Sequence, residues 1–454
     1  MTFIDFLLER FAEDPPRDAL VWRDRVFDYR WLLERIGYWR AEAERQLAGR
    51  QPVVILEGDY SPNALALMLA LVRHGCVVVP LTEPSPARRE EYAEIAQGEY
   101  LLSVSAEDEV RFSRLGREAM HPLYERLRGE GHPALVLFSS GSTGRPKAAV
   151  HDFVPLLEKF KVRRHALRTL TFLLFDHIGG VNTLLYVLSN GGCVVTVRDR
   201  SPEAVCAAVE RHRVQLLPTS PTFINLLLAS EAYRDHDLSS LELVTYGTEV
   251  MPESTLARFH RLFPRIRLLQ TYGLSELGIL RSQSRSSDSL WVKVGGEGFE
   301  TRVVDGMLQV RARSAMLGYL NAPSPFTSDG WFATGDAVDV DGEYVRIRGR
   351  GSEIINVGGE KVAPAEVESV IHELDVVQEV VVYGEQNAIM GNIVCAKVSL
   401  VGPADHRAAI KQIKTHCRGR LEPYKVPVRI TVVDERLHTD RSKKARPQAA
   451  VGEE

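Results

Sequence analysis

The stretch LVLFSSGSTGRPKAAV, residues 135–150, joins two apolar runs through small hydroxyl residues, two glycines and a Pro-Lys step. The flanking runs read as strands. Between them, Gly141 and Gly144 carry no side chain to keep backbone N–H groups away from an anion. Ser139, Ser140, Ser142 and Thr143 add hydroxyl donors, and Lys147 adds a positive charge. Such a loop cradles phosphate. It is not the GxxxxGK[ST] loop, because Pro146 precedes Lys147 and Ala148 follows it. Taken alone, the stretch leaves several phosphate chemistries open.

On either side the sequence alternates strand-like and helix-like runs. PVVILEGD (52–59) and CVVVPL (76–81) flank the apolar helix ALALMLALV (64–72), a βαβ pattern. GGCVVTV leads to a helix with Ser201 as N-cap and Pro202 in its first turn. VQLLPTS, LELVTYG and IRLLQTYG then alternate with the helices PTFINLLLAS and PESTLARFHRLF. Such β-rich runs between helices predict largely parallel sheets covered on both faces. From about 285 the texture changes: SQSRSSDS (282–289) reads as a polar loop, and LQVRARS and DVDGEYVRIRGR as short strands in a small β-barrel-like part. Beyond Ser352 a compact α+β pattern takes over. The expected organisation is an α/β fold. A large N-terminal domain (1–350) has mixed or parallel sheets flanked by helices, and a small mobile α+β domain (351–454) completes the chain.

Bulk properties exclude several classes. The chain has 454 residues, 44% hydrophobic and 26% charged, so it holds material for two or three domains with substantial cores. A formal net charge of −4 gives no global field for nucleic acid or an acidic membrane. The longest apolar run falls far short of the roughly 18 residues a membrane span needs. The N-terminal MTFIDFLLERFAED carries Asp5, Glu9 and Arg10 within its apolar stretch, which argues for an amphipathic helix and against a signal peptide. Five widely spaced cysteines with no CxxC pair suggest neither a zinc site nor a disulfide framework; a reducing cytoplasm is the simplest setting.

Four further segments bear on the phosphate loop: YGTE (246–249), TYGLSE (271–276), GWFATGD (330–336) and GRGSEIINVGGEKVAPAEVE (349–368). In this order and spacing the chain resembles the adenylate-forming superfamily of acyl-CoA synthetases, peptide-synthetase adenylation domains and beetle luciferases. The resemblance covers nearly the whole chain, including the opening helix and a T-Y-x-x-L entry in which Asp28 stands for the usual Thr. It implies ATP, Mg²⁺ and coenzyme A (or a phosphopantetheine arm) as cofactors. A small carboxylic acid would be the substrate, and CoA or an acyl carrier protein the acceptor.

Position by position, the resemblance implies that Ser139 to Gly144 and Lys147 hold the ATP phosphates, with Thr143 also catalytic. Gly247, Thr248 and Glu249 would line the adenine pocket, and Tyr272 would stack on adenine beside Gly273 and Ser275, where Thr is commoner. Glu276 would coordinate Mg²⁺, as a hard carboxylate oxygen suits. Asp336 and Arg350 would reach the ribose. In LFDHIGGVN (174–182), His177 would border the acyl pocket; Asp176 would bind an amine on the substrate, cap a helix start or orient His177. Gly358 and Gly359 would flank the passing thiol, and Ser352 takes the hinge place where Asp is frequent.

The terminal LHTDRSKKARPQ (437–448) reads by composition as a basic tail. Its resemblance to the family's P-x-T-x-x-G-K-x-x-R ending instead gives Lys443 the catalytic place, with Thr439 and Arg446 in register and Ser442 for the glycine. Lys444 falls at a variable position, where substitution is expected to do little. A CoA ligase, a carrier-loading adenylating enzyme and a non-catalytic AMP- or acyl-binding relative remain the three readings. Arg163, Arg164 or the basic tail would supply cations for the CoA phosphates.

Overall fold

A computed structural model describes residues 3–82, 86–139, 145–387, 390–403, 405–439 and 443–444. The described residues form five sheets. One seven-stranded sheet runs in the order Arg267–Gln270, Leu243–Tyr246, Leu216–Thr219, Arg168–Thr171, Cys193–Thr196, Asp18–Trp22, Arg25–Asp28. All neighbours are parallel except the last pair, joined by a tight turn through Arg23 and Asp24. A second runs Gly318–Tyr319, Lys147–Asp152, Ala134–Ser139, Val77–Leu81, Val53–Glu57, Tyr100–Val104, Val110–Arg114. Its centre is parallel. Both edges are antiparallel, so the large portion has the mixed and parallel sheets expected from the sequence.

The helix Pro62–His74 belongs to the core cluster that also takes in Leu135 and Val194, one from each large sheet. Every residue from Pro62 to Val72 is buried, which is why its sequence is apolar all round rather than striped. Ser61 caps it through the Ala64 N–H, and Gly75 ends it with a φ of +90°. At the helix Tyr29–Gln46, Asp28 accepts the Trp31 N–H at 2.8 Å. An aspartate serves there as a threonine would. Ser201 likewise accepts the Ala204 N–H, as expected.

The barrel-like part is a six-stranded antiparallel sheet, Ser282–Ser284, Val292–Val294, Tyr344–Arg350, Phe332–Asp341, Met307–Ala312, Phe299–Val304. The segment 282–289 therefore opens as an edge strand and only then becomes a loop. Its serines suit an edge: Ser282 and Ser284 accept the Tyr272 and Gln270 N–H groups through their hydroxyls.

Beyond a single helical turn at Gly351–Glu353, a separate sheet with its own hydrophobic core begins at Ile355. It gathers strands 355–357, 360–362, 377–387, 391–400 and 429–432 and packs the helices Pro364–Ile371 and His406–Arg418. This C-terminal unit lies against the large portion: Ser254 bonds Ser369 at 2.8 Å, and Asn225 donates to the Gln378 carbonyl at 3.0 Å.

Candidate active site

Ser139 ends the strand Ala134–Ser139, so the phosphate loop leaves from a strand tip. Ser140, Gly141, Ser142, Thr143 and Gly144 lie outside the described residues, as does Arg446. On the far side of the loop, Lys147 opens the return strand, and its ammonium lies 5.6 Å from the centroid of the Tyr319 ring. The Tyr319 hydroxyl donates to Glu276 Oε1 at 2.6 Å, and the Ser139 hydroxyl sits 3.5 Å from the same oxygen. Ser275 is held by its carbonyl, 2.5 Å from Nε2 of the fully buried His151, while the Glu276 carbonyl accepts the Met316 N–H. Burial pushes the His151 imidazole below its ordinary range, against its backbone partners at Ser275 and Ser314. Ser139, Lys147 and Glu276 thus meet around Tyr319, which no local sequence signal marks.

A second group forms where strands Phe332–Asp341 and Tyr344–Arg350 pair, with Asp336 opposite Arg350. Arg350 Nε is 3.0 Å from Asp336 Oδ1, and Arg350 Nη1 donates to the Thr334 carbonyl at 2.5 Å. The Tyr272 hydroxyl donates to Asp336 Oδ2 at 2.5 Å. Burial raises the Asp336 carboxyl above the usual range, while Arg350 and Tyr272 pull it back down. The same burial, with Asp336 beside it, lifts the Tyr272 phenol far up. Tyr272 is 7% exposed and presents its hydroxyl to Asp336 rather than an open ring face.

Strand Leu243–Tyr246 delivers the YGTE segment beside the TYGLSE segment. Gly247 is required by close approach: a Cβ there would stand 2.6 Å from Thr271 Oγ1 and 2.9 Å from its carbonyl. Gly273 is similarly crowded by Ile279 and the Gly278 carbonyl. Thr248 has a φ of +72°, a region β-branched residues rarely hold. Glu249 Oε2 accepts the Thr222 hydroxyl at 2.6 Å, and Oε1 accepts the Lys444 main-chain N–H at 2.5 Å.

His177, not Asp176, caps the helix Ile178–Ser189: its Nδ1 accepts the Gly179 N–H at 3.0 Å. Asp176 is buried and accepts the Thr82 N–H. Of the roles weighed for Asp176, the cap thus passes to its neighbour. Gly358 and Gly359 form an exposed turn with φ of +59° and +96°, and their hydrogen bonds, to Met390 and Asn356, stay within the C-terminal sheet. Ser352 is exposed in the turn that links the two units. Arg163 is ion-paired with Glu13 on the surface.

In the terminal segment the described residues 438–439 and 443–444 are paired with one another rather than loose. Thr439 N–H donates to the Lys443 carbonyl at 2.8 Å, and His438 bridges Lys444, closing a hairpin. Lys443 is half-buried. Lys444, also partly buried, pairs with the buried Glu368, Nζ to Oε2 at 2.5 Å with side chains 12% and 1% exposed. Lys444 is therefore not the neutral position its place in the register suggested. Glu368 ends the PAEVE segment, and only the fold shows that it holds this lysine.

The strand ending at Ser139, the Glu276–Tyr319 pair beside it and the Asp336–Arg350–Tyr272 group are thus carried by one α/β chain with a smaller C-terminal unit against it. The chain belongs to the AMP-binding enzyme family, whose main domain matches residues 7–320 and whose C-terminal domain matches residues 366–444. It is 30% identical to the indoleacetate–CoA ligase of Aromatoleum aromaticum, over 93% of this chain and 92% of that one. It is 25% identical to a medium/long-chain-fatty-acid–[acyl-carrier-protein] ligase of Mycobacterium tuberculosis, over 99% and 95%. The fold matches that of the anthranilate CoA ligase AuaEII with a TM-score of 0.80, at 22% identity over 98% of this chain and 95% of that one. Among the described residues no helix is long and apolar enough to cross a membrane.

Proposed function

We propose that this chain is an AMP-forming acid–CoA ligase. A carboxylate attacks the α-phosphate of ATP, pyrophosphate leaves, and the acyl-AMP is taken by the coenzyme A thiol with release of AMP. The observation that carries the reading is the convergence of Ser139 and Lys147 with Glu276, next to the Asp336–Arg350–Tyr272 group, in one chain with a lysine hairpin docked at Glu249. Whole-length likeness to the indoleacetate ligase supports it and makes arylacetic acids the first to try.

The residues divide the work by chemistry. Two anions must meet, so the site concentrates positive charge: Lys147 and the loop N–H groups on the phosphates, Lys443 on the reacting carboxylate and phosphate. Glu276 fits a magnesium ion, because its Oε2 takes no hydrogen bond among the described residues while Oε1 is steadied by Tyr319. Such an ion, when bound, offsets phosphate charge. Asp336, with one oxygen on Arg350 and the other on Tyr272, is a fixed acceptor for ribose hydroxyls. His177, with Nδ1 on the Gly179 N–H at the start of the helix Ile178–Ser189, would border the acyl side.

The boundary we assign is 350/351, with 1–350 binding ATP and acid and 351–454 acting as a lid. Lys443 sits in the hairpin docked on the large portion while Gly358 and Gly359 are exposed, which suits the acid-activating step. Rotation about Gly351–Glu353 would exchange the two faces for thiol transfer. Five buried free thiols agree with a reducing compartment such as the cytoplasm. The M. tuberculosis relative keeps a carrier protein in view as the thiol acceptor.

The test is incubation with ATP, Mg²⁺, CoA and a panel of aryl, fatty and amino acids. AMP and an acyl-CoA are expected; ADP in place of AMP overturns the assignment. Thioester yield on CoA against a phosphopantetheinylated carrier decides the acceptor.

A further inference from the structure

Lys444 belongs to both units at once. Its ammonium pairs with Glu368, in the helix Pro364–Ile371 of the C-terminal unit. Its main-chain N–H crosses to Glu249 of the large portion. The base of the same hairpin is tied within its own unit, where Glu379 holds the His438 imidazole at 2.6 Å and the Leu437 N–H at 3.3 Å. The hairpin therefore moves with the C-terminal unit, and Glu249 is what fastens it to the large portion.

Glu249 is built for that task. Its second oxygen is held by Thr222, 5% exposed at the start of the helix Pro221–Ser230, so the carboxylate cannot swing away. The residue before it, Thr248, keeps a left-handed φ of +72°. Backbone outliers of this kind persist where the surrounding structure holds them, and they cluster at switches and clamps. Among the described residues, the other hydrogen bonds and ion pairs across the units are of a different kind. Ser254–Ser369 and Asn225–Gln378 are neutral, and the Arg348–Glu366 pair, at 3.7 Å, lies close in sequence to the linking turn. A bond from an N–H to a fixed carboxylate is charge-assisted and about twice as strong as a neutral one. With both oxygens committed to donors of the chain itself, this carboxylate is engaged by the lid rather than offered to a nucleotide.

We propose that Glu249 is a positioning residue, the catch that holds the lysine hairpin in the acid-activating arrangement through the Lys444 main-chain N–H. The proposal rests on the two-step ligase reading. It deepens that reading by giving the YGTE segment a part in switching between the steps. Release of this bond frees the lid to turn, while the Lys444–Glu368 pair travels with it intact.

Two measurements decide it. Spin labels on cysteines introduced at the exposed Arg265 and Lys411 report the distance between the units without any ligand; the five native cysteines are buried. Wild type and Glu249→Gln, whose amide oxygen still accepts the N–H, should share one narrow distribution, and Glu249→Ala should broaden it. In pyrophosphate exchange, Glu249→Ala should lower kcat about 10- to 100-fold, the scale of one hydrogen bond to a charged group. The KM for ATP should hold, the reaction of pre-made acyl-AMP with CoA should fall far less, and Glu249→Gln should recover most of the loss. Coincident distance distributions for wild type and Glu249→Ala overturn the proposal. So does a raised KM for ATP with kcat unchanged, which marks a nucleotide contact. A wild type that exchanges pyrophosphate with no acid refutes the ligase reading, while the label distances still decide the catch.

Discussion

Replacing Lys444 by methionine keeps the aliphatic stem and removes one charge from a buried pair. Glu368, 1% exposed, would then sit in the C-terminal core without its ammonium, 2.5 Å away in the native protein. Breaking a buried ion pair by deleting one partner costs about 3–5 kcal/mol, because the remaining charge stays desolvated. Glu368 keeps the Val382 N–H on Oε1 at 2.9 Å, and methionine preserves the stem packing, so the lower end of that range applies, about 3 kcal/mol. All five tryptophans lie in the large portion, so their fluorescence is a poor reporter of this loss. Amide hydrogen exchange across Pro364–Ile371 and Val377–Asn387 is the suitable assay. Protection there should fall by the equivalent of about 3 kcal/mol, and Glu368→Leu combined with Lys444→Met should recover most of it. If Lys444→Met changes protection by less than about 0.5 kcal/mol, the range of ordinary surface substitutions, the pair does not anchor the hairpin and the reasoning fails.

Lys443→Ala should slow pyrophosphate exchange by about 10²–10³-fold, the scale for one transition-state charge partner, and affect thioester formation from pre-made acyl-AMP far less. Asp336→Asn removes the charge facing Arg350 and Tyr272, and should raise the KM for ATP by roughly 10- to 100-fold while the KM for the acid moves little. Lys159 donates to the Ile279 carbonyl from a buried position that pushes its ammonium down to about 7. Its folded pKa lies below the unfolded value of 10.5, so the unfolded chain binds more protons between these limits. Stability should therefore rise with pH there, by up to about 1.4 kcal/mol per pH unit. Lys159→Met should flatten that slope in urea titrations; an unchanged slope would show that another group is responsible.

Much of the site was legible because its parts are contiguous in sequence. A strand tip running into Gly, Ser and Thr, or Asp336 after Gly335 and before a paired strand, is set by local backbone needs that a single stretch displays. Ser201 was readable as a cap for the same reason, since an N-cap bonds within its own first turn. At Asp176-His177 the same logic favoured Asp176, the preferred cap type, yet His177 makes the cap while Asp176 accepts the Thr82 N–H, a partner 94 residues away. The polar segment 282–289 misled for a related reason, because serines whose hydroxyls serve neighbouring N–H groups look the same in sequence as serines in water.

Resemblance to the family supplied the register that proposes Lys443; by itself the sequence determined the α/β class and the order of the chemical segments. These depend on hydrophobic periodicity, turn chemistry and spacing along one chain. The tertiary structure alone decided that Tyr319 steadies Glu276, that Tyr272 and Arg350 share Asp336, and that Lys444 is fastened by Glu249 and Glu368. Those partners lie 43, 64, 14, 195 and 76 residues apart. A buried charge takes its worth from what surrounds it in space. Of two adjacent lysines alike in sequence, Lys444 therefore becomes an anchor on Glu368 only when the chain folds back to meet it.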